Sequence, residues 1–427
     1  MNIELYDYQE VAYNKVIKAL RKFGRALMVM ATGLGKTIVS AKIVEFFLST
    51  NKNSRVLFLC HDTGILEQLF NQYQELLGSK YSYARFFGKK KNWNAGKHTF
   101  VFATFQSDPH LFFKANHFDY IIVDESHHSK AETYSKVLNY FTPKWKLGMT
   151  ATPDREDGED IRLIFGHEVV NHTLSEGIAK GWLTYPDYKV LDDGLDNDVI
   201  QQLVQEVLAE ERRITMSQLN ELLFIRMRTE EQCKSILSYT NTGLKAIVFC
   251  KNINHLNHVM TMLPDSVAVH SEQSTELNDI AMQMYVAGAA RHIVVVDKFN
   301  EGIDLPDTDV LAFLRPTNSQ RIWLQQLGRG LRKFPGKEKV IILDFVGNVE
   351  RLKDVFSLSL EISSFDTDLK DFDGSLILDS PLHIEGSSFM FDFSEAVVNL
   401  LSVLEYVEKF EIYKTWQEAS KAAIALG

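Results

Sequence analysis

The chain has 427 residues, of which 45% are hydrophobic and 24% are charged, and its formal net charge is −10. This composition is typical of a folded protein and excludes disorder as the main state, and the length predicts two or three domains. No apolar run approaches the roughly 18 residues that span a bilayer, and the acidic N-terminal stretch is unlike a secretory signal. The three cysteines lack metal-ligand spacing, so we expect reduced thiols in a cytoplasmic protein without a membrane partner.

The negative charge is concentrated near the C-terminus. Residues 356–412 contain twelve acidic and two basic side chains, so the rest of the chain is neutral. Because local fields rather than total charge steer ligands, the negative total does not exclude a nucleic-acid partner. The acidic segment itself would repel DNA, and we expect it to bind a protein partner or to act as an intramolecular brake.

Short apolar runs alternate with helix-period segments in two stretches of the chain. The runs cover residues 25–30, 55–60, 99–104, 120–125 and 145–150, and then 245–250, 266–270, 292–297, 309–314 and 339–345. Runs of this kind flanked by helices predict parallel strands buried on both faces. We therefore predict an α/β fold with two domains, residues 1–190 and 241–355, joined by a helical linker over 191–240 and followed by an acidic extension over 356–427.

A glycine-containing loop follows the first predicted strand in the segment MVMATGLGKT (28–37). Gly33 and Gly35 allow backbone amides to converge on phosphate, and the following helix directs its partial positive charge at the same anion. Lys36 can reach the β- and γ-phosphates, and the Thr37 hydroxyl can ligate Mg²⁺. Met30 stands where the strict nucleotide-binding pattern has glycine, and a chance glycine-rich turn is the alternative.

Two adjacent carboxylates end the strand predicted over 120–125. Asp124 can hold Mg²⁺ through water, and Glu125 can polarise an attacking water molecule. Alone this pair is weak evidence for catalysis, because many surface turns carry two acidic residues. Its position downstream of a GKT motif makes phosphoryl transfer the favoured interpretation.

A basic and aromatic segment, RFFGKKKNWNAGKH (85–98), lies between the second and third predicted strands. Basic residues interleaved with aromatic rings suit phosphate contact and base stacking. The candidates for nucleic-acid binding are therefore the basic Arg85, Lys89, Lys90, Lys91 and Lys97 and the aromatic Phe86, Phe87 and Trp93. A solvated loop is an equally good interpretation. Farther along the chain, Trp323 is expected to be helix core rather than a base-stacking residue.

Together these motifs resemble superfamily-two helicases of the DEAD/DEAH-box group, with the Res-type motor subunits of restriction enzymes as the nearest in pattern. LYDYQ (5–9) resembles the Q-motif, CHDTGILEQ (60–68) motif Ia, ATFQS (103–107) motif Ib, DESH (124–127) motif II and TAT (150–152) motif III. In the second half, IVFCKN (247–252), VVVDKFNEGIDLP (294–306) and QQLGRGLR (325–332) resemble motifs IV, V and VI. The resemblance covers about residues 5–348 and implies two tandem RecA-like domains that hydrolyse ATP at their interface.

The resemblance also implies a role for each matched residue. Those expected to hold ATP are Tyr6, Gln9, Thr32, Gly33, Gly35, Lys36, Thr37 and Asp304, with Gln9 recognising the adenine edge and Tyr6 stacking on the base. Those expected in catalysis are Lys36, Asp124, Glu125, Gln325, Arg329 and Arg332, the two arginines being arginine fingers; Thr37 and Asp124 would hold Mg²⁺. The expected coupling residues are His127, Thr150 and Thr152, and the expected nucleic-acid contacts are Thr104, Gln106, Gly302, Lys89, Lys90 and Lys91.

The function expected from the sequence is an ATP-dependent helicase or translocase that acts on nucleic acid, and on DNA rather than RNA. ATP and Mg²⁺ are the expected cofactors. One alternative is the motor subunit of a restriction or antiphage defence complex whose nuclease lies on a partner chain. Another alternative is an ATPase-inactive nucleic-acid-binding scaffold, which the presence of Lys36, Asp124, Glu125 and Arg329 disfavours. A metabolic phosphate-loop enzyme is disfavoured by the motif V and VI residues.

Overall fold

The computed structural model describes most of the chain: residues 3–88, 91–92, 94–124, 131–151, 161–191, 202, 205–206, 229–296, 305–314, 319–345, 349–365, 382–386, 388–393 and 397–398. The chain divides into two compact units, Met1–Gly177 and Ile178–Asn300 with Asp304–Gly427.

The first unit contains a seven-stranded sheet. Its strands are β1 (Arg25–Met30), β2 (Val56–Cys60), β3 (Tyr83–Phe86), β4 (Phe100–Thr104), β5 (Tyr120–Asp124), β6 (Trp145–Thr150) and β7 (Glu168–His172). Its helices are α1 (Asp7–Phe23), α2 (Lys36–Thr50), α3 (Thr63–Leu77), α4 (Ala131–Tyr140) and α5 (Arg162–Phe165), and α6 (Leu174–Ala179) crosses into the second unit.

The strands of the first sheet are parallel and run in the order β3-β4-β2-β5-β6-β1-β7. Every residue of β2, β4 and β5 is buried, as expected for strands covered on both faces. One hydrophobic cluster includes Leu59, Ala103 and Val123. The ring centroids of Phe58, Phe102 and Tyr73 lie within 6.2 Å of one another, with Phe58 stacked on Phe102 and Tyr73 edge-on to both.

The second unit contains an eight-stranded sheet. Its strands are β8 (Tyr185–Leu191), β9 (Ala246–Phe249), β10 (Ser266–Val269), β11 (His292–Val295), β12 (Val310–Phe313), β13 (Lys339–Phe345), β14 (Leu382–Gly386) and β15 (Phe389–Phe393). Its helices are α7 (Thr229–Thr240), α8 (Ile253–Met262), α9 (Thr275–Val286), α10 (Gln320–Gly330) and α11 (Val349–Phe365). The strand order is β10-β11-β9-β12-β13-β8-β15-β14, and only the β14–β15 pair is antiparallel.

The predicted fold class is confirmed, since all ten predicted runs form strands in two mostly parallel sheets. Strand β8 pairs with β13 along its whole length. Tyr185–Leu191 therefore belongs with the second sheet, although the predicted first domain extends to residue 190. Of the predicted linker over 191–240, the structure describes Leu191, residues 202 and 205–206, and the stretch from 229 onward, which includes α7.

Part of the acidic extension is built into the second sheet. Strand β15 pairs in parallel with β8, and Phe389, Phe391 and Phe393 are all buried. The Phe391 ring stacks on Tyr188 at 5.1 Å, and Lys189 Nζ lies 2.9 Å from the Asp392 carboxylate. The hairpin of β14 and β15 thus covers the edge that β8 would otherwise expose.

Candidate nucleotide and nucleic-acid site

The loop between β1 and α2, residues 31–35, is called the phosphate loop below. Gly33 and Gly35 have φ values of 92° and 84°, in the left-handed region that glycine adopts without steric cost. A Cβ atom on Gly35 would also lie 2.3 Å from Gln9 Nε2. Helix α2 begins at Lys36, and the amides of a first helical turn lack intrahelical acceptors. The loop and helix therefore present backbone N–H groups and a partial positive charge at one place.

Three predicted phosphate-binding side chains, Thr32, Lys36 and Thr37, lie in this loop or directly after it. Lys36 Nζ donates a hydrogen bond to the Met30 carbonyl oxygen at 3.1 Å, which keeps the ammonium over the loop. Thr32 and Thr37 are half-buried, and Thr37 lies in the first turn of α2. The arrangement matches what a triphosphate requires: a point charge, a hydroxyl and amide donors on a rigid turn.

The Gln9 side chain is bonded within the protein. It is 3% exposed; its Nε2 donates to the Leu34 carbonyl at 3.0 Å, and its Oε1 accepts from the Tyr6 amide at 3.1 Å. Gln9 therefore ties the start of α1 to the phosphate loop. Adenine recognition by Gln9 stays a prediction, and the geometry adds the holding of the loop as a second role.

Two tyrosines flank Gln9. Tyr6 is 63% exposed, and its ring lies parallel to that of Tyr8 at 6.0 Å, so a flat face remains open for a base. The Tyr8 hydroxyl donates to the Leu34 carbonyl at 3.2 Å. Burial, reinforced by the Tyr6 charge and opposed by the Gln9 hydrogen bond, raises the pKa of Tyr8 to about 12. Tyr8 therefore stays protonated at neutral pH and remains a donor to the loop.

A histidine that the sequence did not indicate supports the other side of the phosphate loop. The His172 carbonyl at the end of β7 accepts from the Ala31 amide at 2.8 Å. The His172 Nδ1 atom lies 2.8 Å from a Glu176 carboxylate oxygen, and its ring meets Tyr8 edge-on at 6.3 Å. No motif marks these residues; only the recognition of β7 as a strand beside β1 would have pointed to them.

Asp124 lies at the same edge of the sheet as the phosphate loop. It ends β5 opposite Met149 of β6, while Thr150 of β6 lies opposite Val29 of β1. Since neighbouring strands are about 4.8 Å apart, the backbones of Asp124 and Val29 are separated by about 10 Å. The side chain is buried, with 8% of the residue exposed. A buried carboxylate at the sheet edge that carries the phosphate loop fits a magnesium ion bound with phosphate oxygens.

The electrostatic influence of Asp124 extends to the interface of α2 and α3. The Tyr73 hydroxyl donates to Ser40 Oγ at 2.6 Å, and both residues are fully buried. Burial raises the pKa of Tyr73, the Ser40 hydrogen bond opposes this, and the Asp124 charge raises it further. Ser40 lies one turn after Thr37, so this bond fixes α3 against the helix that begins at the phosphate loop.

The residues predicted to contact nucleic acid differ in accessibility. Gln106 follows β4 and is exposed, as a residue that contacts nucleic acid must be. Thr104 is 5% exposed, and its hydroxyl lies 2.6 Å from Ser107 Oγ, so any contact it makes would be through its backbone. Lys91 Nζ donates to the Ser107 carbonyl at 3.3 Å.

The predicted stacking role of Phe86 and Phe87 is wrong. Both rings are buried, with 1% and 5% exposed; Phe86 is one of the two buried positions of β3, and Phe87 follows the end of that strand. Arg85 of the same segment is bonded to Glu67 at 2.7 Å and lies 3.6 Å from the centre of the Phe70 ring. Of the aromatic and basic pattern over 85–98, these three side chains are therefore structural.

In the second unit, motif VI spans the second half of α10 and the residues just after it. Gln325 is buried within α10, and Arg329 in its last turn and Arg332 two residues beyond its end are both half-buried. The Thr184 hydroxyl donates to the Arg332 carbonyl at 2.9 Å, and Lys337 Nζ donates to the Gly330 carbonyl at 2.5 Å. These contacts fix the turn that carries both arginines. Trp323 is fully buried, which confirms it as helix core.

Several predicted site residues lie outside the described residues. They are Glu125, His127, Thr152, Gly302, Asp304, Lys89, Lys90 and Trp93. Thr150 is described and fully buried at the end of β6. Within the described ranges, no group of three or more His, Cys, Asp or Glu residues could hold a metal ion, and no helix has the length and apolar character of a membrane span.

Comparisons with known proteins agree with this arrangement. Residues 2–155 match the family "Type III restriction enzyme, res subunit", and residues 228–334 match "Helicase conserved C-terminal domain". The chain is 25% identical over 381 residues to the type I restriction enzyme EcoAI endonuclease subunit of Escherichia coli, covering 81% of this chain and 46% of that protein. It is 26% identical over 390 residues to the DNA 3′-5′ translocase XPB2 of Sulfurisphaera tokodaii, covering 80% and 81%.

The fold comparison gives the same architecture. The Saccharomyces cerevisiae protein Dbp5, solved bound to RNA and ADP BeF3, superposes with a TM-score of 0.57 and 13% identity, over 84% of this chain and 88% of that chain. The two family matches and the motifs identify the chain as a member of the superfamily-two helicases of the Res type. The chain spans about half the length of the first curated relatives it matches.

Proposed function

We propose that this protein is an ATP-dependent nucleic-acid translocase or helicase that acts on DNA. The observation that carries the proposal is the phosphate loop, with Lys36 and α2 on one side and Asp124 two strands away at the same sheet edge. Amide donors, an ammonium and a buried carboxylate are the groups that position a nucleoside triphosphate. The XPB2 translocase supports DNA as the track.

In this proposal ATP is bound by the first unit. The phosphate loop amides and Lys36 hold the β- and γ-phosphates, and the exposed ring of Tyr6 stacks on the adenine. Thr37 and Asp124 would hold Mg²⁺, which when bound neutralises phosphate charge. Glu125 orients and polarises the water that attacks the γ-phosphorus atom.

Motif VI of the second unit supplies the remaining positive charge. Arg329 and Arg332 act as arginine fingers on the γ-phosphate, a contribution of about 10³–10⁵ in rate. Thr184 and Lys337 hold the backbone of the turn that carries them. Because the catalytic groups come from both units, a nucleic acid that binds the active arrangement better than other arrangements accelerates hydrolysis.

The experiment that tests the proposal is steady-state ATP hydrolysis by the full chain. Turnover is compared without nucleic acid and with single-stranded DNA, duplex DNA, forked DNA or RNA. We expect a low basal rate that rises with DNA and rises less with RNA. Equal rates under all five conditions would refute the coupling to nucleic acid.

A second candidate function is the motor subunit of a restriction or antiphage defence complex. The match to a restriction-enzyme res subunit and the 25% identity to the EcoAI endonuclease subunit favour it. In such a complex the nuclease would lie on a partner chain, bound through the acidic extension. Affinity purification of the intact complex from its native source distinguishes the candidates, because only this one predicts a stoichiometric partner with nuclease activity.

The cellular compartment is proposed from the cysteines. Cys60, Cys233 and Cys250 are all buried and all free thiols. Free thiols in an enzyme of this size are typical of a reducing compartment, and we propose the cytoplasm.

A further inference from the structure

An exposed apolar patch lies beside motif Ib in the first unit. Leu111 is 69% exposed and Phe112 is 50% exposed, while the next residue, Phe113, is buried. Lys91 Nζ lies 4.4 Å from the centre of the Phe112 ring and 4.2 Å from that of Phe86. Leu111, Phe112 and Lys91 are called the Phe112 patch below.

The fold places this patch at the sheet edge that carries the phosphate loop. Strand β4 runs parallel to its neighbours and ends at Thr104, and a single 3-10 turn, Phe105–Ser107, follows it. Gln106 of that turn is exposed, and Lys91 Nζ donates to the Ser107 carbonyl. Asp108, with φ 49°, joins this turn to a second 3-10 turn, Pro109–Leu111. The Phe112 patch therefore directly adjoins Gln106, which is predicted to contact nucleic acid.

The Phe112 ring is held rather than free to move. Its edge packs against the buried Phe86 ring, with centroids 5.2 Å apart at 68°, and the Lys91 ammonium stacks over both rings. Single exposed apolar residues are ordinary on protein surfaces. Here two exposed apolar residues, Leu111 and Phe112, follow each other, and the fixed Phe112 ring lies beside the Lys91 ammonium. Proteins that bind single strands use the same combination of an aromatic stacking face and a neighbouring cation.

We infer that the Phe112 patch is a stacking site for one base of a single-stranded segment of the nucleic acid on which the proposed function acts, with Lys91 contacting the adjacent phosphate. The inference rests on the proposed function and extends it to residues outside the helicase motifs. The Asp108 carboxylate, 3.9 Å from His110 Nδ1, makes the surroundings of the patch of mixed charge. Because a carboxylate near the patch weakens its attraction for phosphate, the surroundings favour base stacking on Phe112 over binding through phosphate contacts alone.

The test measures the affinity of the full chain for two labelled oligonucleotides by fluorescence anisotropy. One is oligo(dT), and the other has the same length and phosphates but abasic sugars. Phe112→Ala should raise the Kd for oligo(dT) by about 5- to 100-fold and leave the Kd for the abasic strand unchanged. Phe112→Trp should retain wild-type affinity, and Phe112→Leu, which preserves the packing on Phe86, should lose affinity as the alanine variant does.

A matched control is available in the same unit. Phe23 is 64% exposed, with Lys22 Nζ 4.9 Å from its ring centre, so it offers a similar aromatic and cationic pair away from motif Ib. Phe23→Ala should leave both affinities unchanged. Lys91→Ala should instead weaken binding to both strands and reduce the salt slope of log Kd by about one.

Two outcomes overturn the inference while the proposed function stands. They are a Phe112→Ala variant that binds oligo(dT) as tightly as Phe23→Ala does, and an equal loss of affinity for the abasic strand. In the second case the ring would serve the fold or a protein partner rather than a base. Failure of the wild-type chain to bind either of these strands, together with failure to bind duplex or forked DNA, would overturn the proposed function itself.

Discussion

At the scale of single residues, Gln9 links two parts of the first unit that are distant in sequence. Its amide nitrogen reaches the Leu34 carbonyl and its amide oxygen reaches the Tyr6 amide, while Gly35 leaves the space that the side chain occupies. The same carbonyl also accepts from Tyr8. A residue assigned to adenine recognition by resemblance is thus also a support of the phosphate loop.

This geometry makes a prediction about base specificity. Gln9→Ala removes one hydrogen-bond donor to the Leu34 carbonyl and the acceptor for the Tyr6 amide. The loss of these bonds should destabilise the folded conformation of the phosphate loop by about 1–3 kcal/mol. If loop support is the main role, kcat/KM should fall by about 10-fold for ATP and for GTP alike. Steady-state kinetics with both nucleotides measure this, with the exposed Gln74→Ala as a control. A loss confined to ATP, with GTP turnover unchanged, would show that the adenine edge is what Gln9 reads.

Sequence predicted the phosphate loop and Asp124 because their chemistry requires particular residue types at fixed spacing. It could not predict that Phe86 and Phe87 are core residues, since interleaved lysines and aromatics look the same whether the rings face solvent or the sheet. The hydrogen bond from the Ala31 amide to the His172 carbonyl could not be predicted either, because it depends on which strand lies beside β1. Contacts that depend on which strands are neighbours, rather than on residue types at fixed spacing, can be identified only from the folded structure.

At the scale of elements, the apolar strands were predictable and most of the others were not. Nine of the ten predicted strands are buried along most of their length, and the tenth, β10, is a half-buried edge strand. Strand β3 alternates in burial, β7 is a half-exposed edge, and β8 contains Pro186 and charged residues. The hairpin of β14 and β15 was missed because the high charge of the acidic extension concealed three alternating phenylalanines.

The hairpin gives a prediction about stability. Phe391 is fully buried and stacks on Tyr188 of β8, so Phe391→Ala should lower the free energy of unfolding of the second unit by about 3–5 kcal/mol. Chemical denaturation monitored by circular dichroism measures it, and Phe365→Ala, at a residue that is 43% exposed, is the matched control. If both variants unfolded at the same denaturant concentration, the hairpin would not be an integral part of the sheet in solution.

At the scale of the whole molecule, catalysis is proposed to need both units. The phosphate loop, Lys36 and Asp124 lie in the first unit, and Arg329 and Arg332 lie on α10 and the turn after it in the second. Each set is fixed by its own contacts, Gln9 and Tyr8 for the loop and Thr184 and Lys337 for the arginine turn. In this proposal the two sets together supply the positive charge that stabilises the phosphoryl-transfer transition state.

The most direct test is ATP turnover by the Arg329→Ala variant at saturating DNA, together with its affinity for a fluorescent ATP analogue. Because the arginine acts on the transition state rather than on the bound nucleotide, turnover should fall by about 10³-fold or more while nucleotide affinity stays at the wild-type value. Lys36→Ala provides the comparison, since it should weaken both. Wild-type turnover in the Arg329→Ala variant would contradict the proposal that the second unit completes the ATPase.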